Sequence, residues 1–168
     1  MLGFGSKRRR AIQGAIGVLR VIIGPVQHFY GLPAGFWKDP YILGFLYSSA
    51  GLLAKLATNG KITGPEFGFA LRDIFSVLSN QNGSVIVQEA TDMALRGDPD
   101  FSRGADDAVA VHLYTYKKLK DEDAHPLVRK AAELVDAGVV EGADRRAQIL
   151  VAMMSLSFMR ECKERLVE

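Results

Sequence analysis

The chain has 168 residues, 48% hydrophobic and 24% charged, which suits one globular domain, 1–168, and excludes disorder throughout. Its net charge is only +2 although Lys7, Arg8, Arg9 and Arg10 stand in one run; the basic character is local, and nucleic acid is not an expected partner because a general binder spreads Lys and Arg over a face. The single cysteine, Cys162, excludes an intrachain disulfide and a Cys-based zinc site, fits a reducing compartment, and reads as an inert thiol.

Hydrophobic periodicity and stop signals predict about seven helices, an all-α bundle or orthogonal helical array with no strand-rich region. The first is expected from Ser6 to Ile23, ended by Gly24-Pro25. Ile12, Ile16, Leu19 and Ile23 form its apolar stripe, beside a small-residue strip of Ala11, Gly14, Ala15 and Val18. Its basic run lies at the helix amino end, where the dipole disfavours positive charge. The basic-then-apolar order resembles a signal peptide, but Gln13 and Arg20 interrupt it and no small-residue cleavage site follows. The run is also too short for a span of about 20 apolar residues, as is residues 41–54. Leu2 stands where myristoylation needs glycine.

A Gly- and Pro-rich loop at 31–40 precedes a second helix, capped by Asp39 with Pro40 at its first position. From Tyr41 to Ala57 its only charge is Lys55, which marks it as the central helix. Asn59-Gly60 closes it, and Thr63-Gly64-Pro65-Glu66 reads as a capping box for a third helix with Phe67, Ala70, Leu71, Ile74, Val77 and Leu78 on one face. Ser84 is the expected cap of a fourth helix to Arg96, although Val85-Ile86-Val87 also suits a short strand. Further helices are expected at 104–119, 126–137 and 143–166.

Four features are candidates for function. The loop 55–66 matches part of a calcium-binding helix-loop-helix, with Gly60 at the turn, Thr63 and Glu66, but Lys55 and Ala57 occupy ligand positions. Asp98, Asp100 and Ser102 alternate as calcium ligands do, with Gly104 one place late; this is the metal reading, set against turn-forming and helix-capping roles. His112 is a potential general base beside Asp106 or Asp107, although His28, His112 and His125 share no metal-site spacing, and no nucleophile elbow, phosphate loop or cofactor fingerprint is present. Finally, Lys7, Arg8, Arg9 and Arg10, with Leu2 and Phe4, could meet an anionic membrane surface or a protein partner.

The segment N-G-K-I-T-x-x-E at 59–66, between two helices, resembles the first helical pair of the tellurite-resistance TerB family over residues 41–79. That resemblance implies an all-helical fold and a loop with metal-linked acids, but Asn59 stands in place of the aspartate. The composite expectation is a cytoplasmic, bacterial-type interaction or regulatory module without a cofactor, self-associating through the arm and helix at 1–23. The alternatives are a peripheral membrane-surface protein using that helix, and a small cation-binding domain or enzyme using 98–107.

Overall fold

The computed structural model describes residues 4–116, 125–142 and 144–166, apart from the side chain of Phe4. Among these, every regular element is helical: α1 (Phe4–Tyr30), α2 (Pro40–Ala57), α3 (Gly64–Ser79), α4 (Gly83–Arg96), α5 (Pro99–Thr115), α6 (Pro126–Asp136) and α7 (Arg145–Met154), which continues through a π-helical turn (Ser155–Met159) into α8 (Arg160–Leu166). One cluster of buried side chains draws on all of them.

The central position falls to α2. Asp39 Oδ1 accepts from the Ile42 amide at 3.0 Å, Pro40 fills a position that needs no donor, and Tyr41, Ile42, Leu43, Phe45 and Leu46 are all buried. Its main partners are α5 and α1. At the α2–α5 crossing Gly44 faces the Phe101 carbonyl and Gly104 faces the Tyr41 carbonyl, so closely that a Cβ on either glycine would lie 2.1 Å from the oxygen.

Several boundaries differ from expectation for physical reasons. The first helix does not stop at Gly24-Pro25 but runs through Pro25 to Tyr30, where Gly31 turns left-handed (φ 71). Pro25 deprives the Val21 carbonyl of its donor, yet Val21 and Pro25 are exposed, so water can serve that carbonyl, while buried Ile23 and Val26 hold the chain to the core. Residues 85–87 belong to α4 rather than a strand. Asn82, not Ser84, caps that helix, accepting from the Ser84 amide at 3.0 Å, and Ile86, Ala90 and Met93 turn inward at helical spacing. The α5 helix starts at Pro99 rather than 104, because Asp98-Pro99 repeats the cap-then-proline signal of Asp39-Pro40. Residues 117–119 of the expected fifth helix lie outside the described residues. The capping box at 63–66 does not form: Thr63 makes no side-chain cap bond, and Glu66 Oε1 is buried without a partner. The last helix is continuous from Arg145 to Leu166, and its π turn coincides with Ser157, whose hydroxyl donates to the Met153 carbonyl at 2.6 Å.

Candidate functional site

Asp98, Asp100 and Ser102 are not gathered into a cation shell. Asp98 Oδ1 caps α5 by accepting from the Phe101 amide at 3.0 Å, and the Asp98 carbonyl accepts from the Ser102 hydroxyl at 2.9 Å. Asp100 turns instead to Arg103 and Arg165, each at 3.1 Å, and the Arg103 hydrogen bond, then that of Arg165, holds its carboxyl below the usual range. Among the described residues no group of three or more His, Cys, Asp and Glu side chains is placed to hold a metal ion. In the 55–66 loop, Asn59 and Gly60 both adopt left-handed backbone (φ 51 and 74), and the Gly60 amide closes α2 on the Lys55 carbonyl at 2.7 Å.

His112 does not meet an acid. Its Nε2 lies 2.9 Å from Ser49 Oγ in the buried α2–α5 seam, while Asp107 Oδ2 accepts from the Tyr41 hydroxyl at 2.7 Å and Asp106 faces solvent. Burial alone pushes the imidazole down to about 4. A neutral histidine beside a serine has the composition of a nucleophile–base pair, but both residues are buried in the core. Because folding depresses this pKa, the contribution of neutral His112 to stability is complete above about 6.5 and shrinks as pH falls toward 4. NMR titration of the imidazole should show no inflection near 6.5; an ordinary titration there would mean the seam admits water. Cys162 is likewise inaccessible, and burial pushes its thiol up to about 12, which leaves it unreactive near neutrality.

The most developed polar cluster surrounds Glu161 in α8, a residue only 4% exposed. Arg103 grips it bidentately (Nη1 to Oε1 2.6 Å, Nη2 to Oε2 3.0 Å), Arg160 Nη2 adds a bond to Oε1 at 2.9 Å and Arg165 Nε one to Oε2 at 2.9 Å. Arg165 reaches on to Asp39 at 3.2 Å and Asp100 at 3.1 Å, and the Tyr41 ring lies beneath the guanidiniums of Arg103 and Arg165. Charges of both signs are matched within the cluster, so it fastens α8 to the amino ends of α2 and α5 rather than presenting a charge to a ligand. Sequence reading missed it because its members are scattered over three helices, α2, α5 and α8; the local signals were an Asp100–Arg103 pair at i,i+3 and a Glu161–Arg165 pair at i,i+4 spacing.

Two surface features remain. Lys7 and Arg8 meet Lys61, Pro65, Glu66 and Phe69 around a hollow of about 560 Å³ between the amino ends of α1 and α3. Arg8 is anchored there by Nε and Nη2 bonds to Asp73 Oδ2 at 2.8 and 2.5 Å, while Arg9 and Arg10 point to solvent. The basic run is therefore split between a wall and an exposed edge. On the opposite flank of α1, Val21, Ile22 and Pro25 face Leu150, Val151, Met154 and Met159 across an apolar groove.

No protein-family model, curated protein or solved structure matches the chain. Function therefore has to be argued from these surfaces. Among the described residues no helix is long and apolar enough to cross a membrane.

Proposed function

We propose that the protein is a helical interaction module of the cytoplasm that associates with a second copy of itself through the outer face of α1. The supporting observation is how that face divides. Buried Ala11, Ala15, Leu19, Ile23 and Val26 hold α1 to the core. On the exposed side, Arg9, Gln13, Arg20 and Gln27 follow one another at helical spacing as a polar strip, and Val18, Val21, Pro25 and Phe29 form an apolar strip beside it. Val21 is 75% exposed, Phe29 69% and Val151 of α7 51%, and the apolar strip runs on into the groove with Met154 and Met159. Isolated exposed apolar residues need no explanation, but a continuous strip joined to a groove has the character of an interface.

Charge selects the occupant. The amino end of α1 carries Lys7–Arg10 and no acidic residue in its first turn, and the only basic residue in its last turn is His28. A second α1 laid antiparallel sets Arg10 opposite Phe29 and Val18 opposite Val21. The cations then meet the negative carbonyl end of the neighbouring helix. A parallel pairing would set the basic runs against each other. The likeness of residues 41–79 to the TerB family fits such a role as architecture alone.

Sedimentation tests this reading. The intact chain is expected to sediment as a dimer, and Val21→Glu is expected to weaken association more than tenfold, since it buries an unpaired carboxylate in the strip. Arg20→Glu, on the polar strip, should leave the dimer intact. A monomer at the highest soluble concentration overturns the proposal. If that monomer instead floats with phosphatidylserine vesicles and Val21→Glu abolishes flotation, the strip serves a lipid surface.

A further inference from the structure

We infer that the hollow between the amino ends of α1 and α3 is a binding site for a phosphate ester with an apolar organic body. Its volume of about 560 Å³ lies within the span of small-molecule sites, roughly 300–1,000 Å³. Three cations line it, Lys7, Arg8 and Lys61, against one carboxylate, Glu66. Among the described residues neither lysine forms an ion pair, whereas the arginines elsewhere in the fold that are drawn together are matched by acids. Arg8 is partly neutralised from behind by Asp73, and that contact, with the Phe69 ring 5.6 Å from its Cζ, fixes the guanidinium before any ligand arrives. A positive excess remains even after Asp73 is counted.

The local backbone adds to that excess. Thr63 makes no side-chain cap bond, so the first turn of α3 lacks the acceptor that a side-chain carboxylate or amide oxygen supplies at the starts of α2, α4, α5 and α7 through Asp39, Asn82, Asp98 and Asp144. An anion placed among Lys7, Arg8 and Lys61 would sit near this positive helix end. Pro65 and the half-exposed Phe69 ring supply apolar wall beside the charges, which favours an ester over inorganic phosphate. The same chemistry is offered by a soluble phosphomonoester and by a phosphate-bearing lipid headgroup.

Two probes separate these sources. Phenyl phosphate titrated into the full chain, followed by amide NMR, should shift Lys61, Gly64 and Glu66 saturably. Lys61→Gln and Lys7→Gln should each weaken binding about fivefold, the scale of losing one partly exposed charge-assisted hydrogen bond. Glu66→Gln should tighten it, and Arg96→Gln, which removes an exposed cation on α4, should leave it unchanged. Vesicles of phosphatidylcholine with phosphatidic acid form the second arm: flotation abolished by Lys61→Gln assigns the phosphate to a lipid, and saturation by phenyl phosphate without flotation assigns it to a soluble ligand. Absence of saturable response to both probes overturns the site. So does an equal loss with Arg96→Gln, since binding would then follow overall charge.

Discussion

Glu161→Gln should lower the unfolding free energy at neutral pH by about 3 kcal/mol, the scale of breaking a buried, multiply bonded ion pair. The side chain keeps its size, so packing is preserved and the loss reports the charge. Each carboxylate oxygen accepts two arginine hydrogen bonds, and all four are made to the anion. With glutamine in place, Arg103 and Arg165 retain Asp100, and Arg165 retains Asp39. Arg160 retains only a looser contact of 3.8 Å with exposed Glu164. Denaturant unfolding at neutral pH reads the effect directly. Equal stability of the two proteins would mean that desolvating Glu161 costs as much as its bonds return.

The same residue fixes an acid limb. The Arg103 hydrogen bond, then those of Arg160 and Arg165, outweighs burial and lowers the carboxyl from its ordinary 4.5 to about 2. A depressed carboxylate stabilises the fold fully above its unfolded value and loses that contribution as pH falls through the folded one. The gap between wild type and Glu161→Gln should therefore be constant above about 4.5 and close toward pH 2. The His112 contribution is lost at higher pH, from about 6.5 down to 4, so the two groups leave separate segments on one stability curve.

Sequence reading reached the helices through their punctuation. Asp39-Pro40, Gly60 and Gly138 each do what their residue type predicts, because capping and left-handed closure are local. It failed where tertiary context decides. Pro25 is a stop signal only if its orphaned carbonyl cannot reach water, and exposure of Val21 removes that condition. Val85-Ile86-Val87 has β-branched chemistry, but the spacing from Ile86 to Ala90 and Met93 is the one that finds a core. Asp98, Asp100 and Ser102 share the alternation of a cation loop, yet helical backbone from Pro99 spreads their oxygens to separate partners. Lys7 and Arg8 were visible as charge. Their convergence with Lys61, more than fifty residues away in the chain, was not, since only α1–α3 packing creates it.

Gly44→Ala and Gly104→Ala should each destabilise the fold by about 3 kcal/mol, at the upper end for overpacking a close-packed interior. Each methyl would enter 2.1 Å from a backbone carbonyl oxygen of the facing helix, where no rotamer change can make room. Alanine gains about 1 kcal/mol of helix propensity over glycine, which offsets only part of the cost. Gly68→Ala in α3 isolates that gain: its Cβ would meet nothing within 4 Å, so it should stabilise by about 0.5–1 kcal/mol. Thermal unfolding of the three variants distinguishes crossing from propensity, and three similar melting temperatures would show that α2 and α5 do not approach this closely in solution. The crossing also controls the polar groups built across it. Ser49–His112 and Tyr41–Asp107 both span α2 and α5, so helices forced apart at Gly44 or Gly104 should admit water to the seam and raise the His112 pKa from about 4 toward its ordinary 6.5. A variant that folds, melts early and shows this upward shift would tie the neutrality of His112 to the absence of two methyl groups in the facing backbones.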